Sequence, residues 1–172
     1  AQTLFDGTRG LHRLDDDARE LLDHAALLHD VGEHVSTEGH AKHSAYLIEH
    51  GRLRGFSPGE VAVLACLGRY HRKGEPTADF GPFELMSKAR RRQVAALVPL
   101  LQVAHGLDHG RTCAVTRLGV EVTPAAVRLR LTAASDGHLE RWGAEQRGRR
   151  FARTFRRRLE VVVDSRPSTR AV

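Results

Sequence analysis

Leu27-Leu28-His29-Asp30-Val31-Gly32 is the stretch on which the reading of this chain turns. An apolar helical run ends in adjacent His and Asp, and a glycine follows. Both polar side chains are costly to bury without a partner. A divalent metal is one partner that both residue types serve as ligands. Just upstream, Asp15-Asp16-Asp17 places carboxylates where a helix N-terminus favours them, and Leu21, Leu22, Ala25 and Leu28 recur at helical spacing. Gly32 reads as the residue that ends this helix. The pair is therefore a metal centre, a phosphate-binding shell, or a satisfied polar knot in a helical core.

Working outward, residues 1–14 read as the end of a helix and a loop, anchored by Leu4, Phe5, Leu11 and Leu14, with Gly7 and Gly10 as breakers. The chain opens in mid-pattern without a cap signal, so a natural start further upstream is expected. Residues 33–42 are polar and loop-like, and a short helix is expected from His43 to Gly51. Ser57-Pro58-Gly59-Glu60 is a strong helix start, with a hydroxyl cap, a proline in the first turn and Glu three residues after the cap. That helix delivers Arg69-Tyr70-His71-Arg72-Lys73 at its end. After a loop over 75–86, a helix resumes near Ser87 and runs towards His105, with Pro99 expected to kink or divide it.

Beyond residue 110 the period changes. Val115 to Val122 reads as a strand, Thr123-Pro124-Ala125-Ala126 as a turn, and Val127 to Leu131 alternates apolar with basic as a half-exposed strand does. A basic helix is expected from about 138 to 158 and a third strand over 159–163. The fold class expected is mainly α, a helical bundle over 1–110 followed by a small α+β appendage over 111–164, with 165–172 as a flexible tail.

Apolar residues make up 41% of the 172, which excludes disorder throughout. No apolar run approaches the length of a membrane span. Cys66 and Cys113 both lie in apolar stretches and read as small buried thiols of a reducing cytoplasm. The net charge is +6, and 24 of the 27 basic residues are arginine. Arginine forks suit phosphate oxygens. Few aromatics are interleaved with them, which argues against stacking on nucleic-acid bases.

Seven of the eleven histidines fall between positions 24 and 71, and His29, His43 and His71 stand at expected helix ends, where side chains can converge. Arg69, His71, Arg72 and Lys73 place four potentially cationic groups within five residues, a candidate phosphate clamp. Dinucleotide and P-loop glycine motifs, a Gly-x-Ser-x-Gly elbow and CxxC pairs are absent, and His40-Ala41-Lys42-His43 lacks the Glu of a zinc-protease helix.

The order of these motifs, Leu28-His29-Asp30-Val31-Gly32, His43-Ser44-Ala45-Tyr46-Leu47-Ile48, Gly55-Phe56-Ser57, Arg69-Tyr70-His71-Arg72-Lys73 and Val103-Ala104-His105-Gly106-Leu107-Asp108, resembles the C-terminal part of the exopolyphosphatase/guanosine-pentaphosphate phosphohydrolase (Ppx/GppA) family. The resemblance implies an HD-domain-like helical domain. It also implies phosphoanhydride hydrolysis that is Mg²⁺-dependent and centred on an upstream actin-like catalytic region. This part would bind polyphosphate or guanosine pentaphosphate through His43, Arg69, His71, Arg72 and Lys73, with the Arg-rich final helix extending that path or meeting a partner, and would pack against the catalytic region or a second subunit in a cytoplasmic homodimer. The alternative is an independent HD-type metal-dependent phosphohydrolase, with His29, Asp30 and His105 as candidate metal ligands and His71 beside them. Metal-dependent HD enzymes use an early His, the His-Asp pair and a later Asp. Here the early His would fall upstream of Ala1 or be absent, and His105 stands where that Asp aligns, so the pair is expected to be the remnant of a metal site.

Overall fold

The computed structural model describes residues 1–164; the tail expected over 165–172 lies outside the described residues. The elements run α1 (Gln2–Gly7), α2 (Arg9–His12), α3 (Asp16–Leu28), a 3₁₀ turn (Val31–His34), α4 (His40–His50), α5 (Pro58–Tyr70), α6 (Gly81–Glu84), α7 (Lys88–Gly106), β1 (Val115–Val122), β2 (Ala126–Ala133), α8 (His138–Glu145), α9 (Gly148–Phe155) and β3 (Arg158–Val163). The fold is mainly α with a small α+β appendage.

Helix starts follow local chemistry. The Asp15 carboxylate accepts from Ala18 N at the head of α3. Ser57 and Glu60 form a reciprocal capping box on α5, and the Ser87 hydroxyl accepts from Arg90 N on α7. Such caps contribute about 1 kcal/mol each. The three helices meet over a core of Leu21, Leu22, Val63, Leu64, Leu67, Leu97, Leu100 and Leu101.

The appendage is a three-stranded sheet in the order β1-β2-β3. β1 and β2 pair as an antiparallel hairpin, whereas β3 returns through α8 and α9 to lie parallel to β2. Val127, Leu129 and Leu131 of central β2 are buried, and Phe151 and Val161 join them in the same cluster as Leu4 and Phe5 of α1. One apolar core thus runs through both halves. Between α7 and α8, a Cβ at Gly106 would meet the Gly143 carbonyl, so these two glycines allow a backbone-to-backbone crossing. No helix of the described residues is long and apolar enough to cross a membrane.

Several boundaries differ from expectation. α4 begins at His40 rather than His43, entered from Gly39 in the left-handed region at φ 70°. Gly7 and Gly10 lie inside α1 and α2, and the break falls at Thr8. α7 runs unbroken through Pro99. A proline inside a helix costs about 3 kcal/mol, but Leu97, Val98, Leu100, Leu101 and Val103 are all buried around it, each contributing about 1.5–3 kcal/mol. The basic helix is two helices, separated at Gln146-Arg147, the second opening on Gly148, a poor helix former. Cys66 is buried, but Cys113 is exposed, in the turn that leaves α7.

Candidate functional site

Four helix ends converge beside Asp30. His29 and His71 are the C-terminal caps of α3 and α5, His105 lies in the last turn of α7, and His40 opens α4. Three of the rings are oriented in the same way. His29 Nδ1 lies 2.8 Å from the Ala26 carbonyl, His71 Nδ1 2.7 Å from that of Gly68, and His40 Nδ1 3.0 Å from that of Thr37. A carbonyl can only accept, so each Nδ1 carries a proton, and each Nε2 is turned inward, a lone pair in the neutral ring and a donor in the protonated one. Those three nitrogens face the carboxylate. His29 Nε2 is 3.3 Å from Asp30 Oδ2, while His71 Nε2 and His40 Nε2 are 3.1 and 3.3 Å from Oδ1. The two Nε2 atoms of His40 and His71 are 3.2 Å apart, and His105 Nδ1 is 3.4 Å from His29 Nε2.

Gly32 sets this approach. A Cβ there would run into the His40 carbonyl and the Ser44 amide, and its own N–H donates to Ser44 Oγ at 2.9 Å. Only a bare backbone lets the turn after Asp30 lie against the start of α4.

The electrostatics follow. Burial pushes the Asp30 carboxyl up, but the hydrogen bonds and charges of His29 and His71 outweigh it and hold the group well below the usual carboxylate range. Burial first, then the neighbouring charges of His71 and His29, pushes His105 down to about 3, so it is a neutral ring. At the outer edge, Arg111 adopts a left-handed backbone (φ 53°) and donates to Asp30 Oδ2 at 3.0 Å and to both oxygens of Glu33. That pairing lowers Glu33. Asp30 Oδ1 is buried, and the groups in reach of it are the His40 and His71 Nε2 atoms, so with both rings neutral and protonated on Nδ1 it is left without a donor.

Such a group can hold a cation. One donor atom from each of His29, Asp30, His71 and His105 lies within 4.8 Å of the others, and Asp30, Glu33 and His40 form a second such group. The Mg²⁺ that the family resemblance attaches to the upstream region does not fit the first group, since that ion demands oxygen donors. Imidazole nitrogens suit Zn²⁺ and its neighbours.

A second feature lies on the other side of the α5 end. Arg72 and Lys73 open a cleft of about 500 Å³ whose far wall carries Arg147, Arg149, Arg150 and Arg153 from α9 and the turn before it. Gln102 of α7 sits between, and its amide donates to the carbonyls of Tyr70 at 2.7 Å and Gly74 at 3.1 Å, fixing the turn that carries Arg72 and Lys73. Glu75 is paired with Arg150 and Arg153 at 2.8 and 2.7 Å. The Nε atoms of Arg147 and Arg150 are buried without a partner. Burial and the nearby Arg72 charge lower Arg147 from the ordinary guanidinium value.

The residues singled out from the sequence therefore divide. His29, Asp30 and His105 come together, and His71 joins them, fully buried, instead of facing the basic cleft. Arg72 and Lys73 line the cleft. Arg69 is half-buried with its guanidinium 5.6 Å from the Tyr70 ring centre. The ring sent into the histidine group from α4 is His40, and His43, almost a turn later, is half-buried elsewhere. His40, Glu33, Arg111 and Gln102 were not singled out as site residues, whereas the Arg-rich final helix was, and its arginines line the cleft.

A family model described as Ppx/GppA phosphatase, domain III, matches residues 1–143. A guanosine-5'-triphosphate,3'-diphosphate pyrophosphatase of Aeromonas hydrophila subsp. hydrophila is 30% identical over 114 residues, 66% of this chain but only 22% of that protein. The chain thus spans about a fifth of the relative it matches, and it belongs to the Ppx/GppA phosphatase family, corresponding to that family's domain III.

Proposed function

We propose that this chain is the substrate-grasping domain of a phosphoanhydride hydrolase. It holds polyphosphate or guanosine pentaphosphate in the cleft between Arg72-Lys73 and α9 while an upstream actin-like region, the Mg²⁺-dependent part by family resemblance, cleaves the terminal phosphate. The observation that carries the reading is the six-cation cleft itself. Four arginines and the Arg72-Lys73 pair face one another across it, and guanidinium is suited to phosphate by shape as well as charge. The relative's name favours guanosine pentaphosphate, whereas six cations around one cleft suit a longer polyanion. The same reading takes the protein as a cytoplasmic homodimer, in keeping with its free thiols.

The test is binding of fluorescent polyphosphate and of guanosine pentaphosphate to the full chain across a salt series. Expected is an affinity that falls steeply with ionic strength, as polyanion binding does, and that drops on Arg147→Ala and Arg150→Ala. Binding indifferent to salt, or unchanged in a folded Arg147→Ala/Arg150→Ala protein, refutes it.

A further inference from the structure

The histidine group beside Asp30 plays no part in the anion reading, and its protons do not add up. Three rings have spent their only neutral-state N–H on carbonyls outside the group. What neutral rings then point inward is acceptors: three Nε2 lone pairs facing a carboxylate, with His105 Nδ1 beside them. Packed at 3.1–3.4 Å, with only the Arg111 guanidinium on Asp30 Oδ2 as a fixed donor at the edge, such acceptors repel unless a cation or shared protons lie between them. Something positive has to sit between them.

We propose that His29, Asp30, His71 and His105 bind one imidazole-preferring divalent ion, with Zn²⁺ the best match, in a structural site that ties together the ends of α3, α5 and α7. Geometry supports the ion. Tetrahedral zinc with bonds of about 2.0–2.1 Å has ligand atoms about 3.3–3.4 Å apart. His29 Nε2 lies 3.4 Å from His105 Nδ1, and His29 Nε2 and His71 Nε2 lie 3.3 and 3.1 Å from the two different oxygens of Asp30; with one atom from each residue, no pair of donors exceeds 4.8 Å. The outer shell also fits. Metal-bound histidines donate their other N–H to a carbonyl or carboxylate, and the Nδ1 atoms of His29 and His71 already do so. Four protein ligands from three helix ends close the coordination sphere, which is the mark of a structural site and not a catalytic one. Beyond the His-Asp pair, the set is completed by His71 and His105.

One ion is expected, not two. The second group, Asp30 with Glu33 and His40, already has a cation on it in the Arg111 guanidinium. An open cleft of about 420 Å³, lined by His29, Asp30, Glu33, His105 and Arg111, gives the ion its way in.

The experiment strips the full chain with a chelator, exchanges it into clean buffer and titrates it with Co²⁺, reading visible absorption. Expected is one equivalent with the intense bands of four-coordinate cobalt, displaced by Zn²⁺ and untouched by Mg²⁺, and a melting temperature raised by Zn²⁺. His105→Ala should weaken uptake by more than the roughly 10–100-fold that loss of an outer partner costs, and His105→Asp should restore it. His34→Ala, at an exposed histidine outside the group, should change nothing. Should a variant fail to fold by circular dichroism, the wild-type spectrum and stoichiometry still decide. No cobalt uptake, a weak octahedral spectrum, or full uptake in a folded His105→Ala protein overturns the proposal and leaves a group held by shared protons.

Discussion

Glu75→Gln separates an anion cleft from an ordinary network of surface charges. Glu75 sits among the cleft cations and bonds Arg150 and Arg153 at 2.8 and 2.7 Å. If the arginines are there for stability, removing the carboxylate is a loss. If they are there for phosphate, Glu75 occupies a place that a phosphate oxygen would take, and removing it is a gain. Glu75 is half exposed and Arg153 more so, while Arg150 is largely buried. Exposed pairs of this kind contribute about 0.2–1 kcal/mol each. Two released pairs therefore offer about 0.4–2 kcal/mol to an incoming anion, a roughly 2- to 30-fold gain in affinity. The salt dependence should also steepen, by about 0.7 in the logarithmic slope per added unit of cleft charge, as for flexible polyanions. The assay is polyphosphate binding by fluorescence anisotropy at several salt concentrations, with the melting temperature taken in parallel. A Glu75→Gln protein that binds polyphosphate more weakly than wild type, or equally with an unchanged slope, refutes the reasoning.

Other outcomes follow from the same geometry. Gln102→Leu keeps the volume but removes the donor that holds the Tyr70 and Gly74 carbonyls; stability should fall by about 1–3 kcal/mol in urea denaturation, and polyphosphate affinity should fall with it as Arg72 and Lys73 lose their fixed position. Gly32→Ala forces a methyl into the His40 and Ser44 backbone and should cost about 1–3 kcal/mol or more, read as a lowered denaturation midpoint. In chelator, stability should drop as pH falls from about 6.5 towards 3. His105 is held neutral in the fold to about 3 against an ordinary 6.5, so the unfolded chain takes up the proton first. Asp30 and Glu33, both lowered, act in the same direction at the acid end. His105→Asn should flatten the upper part of that slope, and a slope unchanged in that variant counts against a buried neutral ring.

The helical body was legible because its signals are local. Asp15, Ser57-Pro58 and Ser87 announce helix starts in the residues themselves, and the caps are where those residues put them. The alternation at Val127-Arg128-Leu129-Arg130-Leu131 likewise fixed a strand with one buried face. What failed was whatever depended on distant packing. Pro99 is a breaker by propensity, and only the burial of its neighbours keeps α7 whole. His40 looked like loop because nothing in its own neighbourhood shows that Gly32 will lie against it. Arg111 is separated from Asp30 by 81 residues of sequence and reaches it through a left-handed backbone that no pattern announces. The basic run of α9 was visible, but its meeting with Arg72 and Lys73 across a cleft is a product of the α7–α8 crossing at Gly106 and Gly143.

The two sites are closer than their chemistry suggests, because adjacent residues belong to different ones. His71 faces inward to Asp30, and Arg72 faces outward to the cleft. The turn that carries them is gripped from one side by the His71 ring, anchored on the Gly68 carbonyl, and from the other by Gln102. Both grips act on a segment that would otherwise fray, since the last carbonyls of a helix lack partners within it. A cation bound beside Asp30 would immobilise His71, and with it the backbone of Arg72 and Lys73, before any phosphate arrives. Anion binding would then be spared the cost of ordering that turn, on the order of 1–2 kcal/mol per fixed residue. Zinc should therefore tighten polyphosphate binding by the full chain without touching a single phosphate, and by thermodynamic reciprocity polyphosphate should tighten zinc by the same factor. Polyphosphate affinity left unchanged by saturating Zn²⁺, once binding of the ion to free polyphosphate is subtracted, would mean that the two sites are not coupled through His71 and its turn.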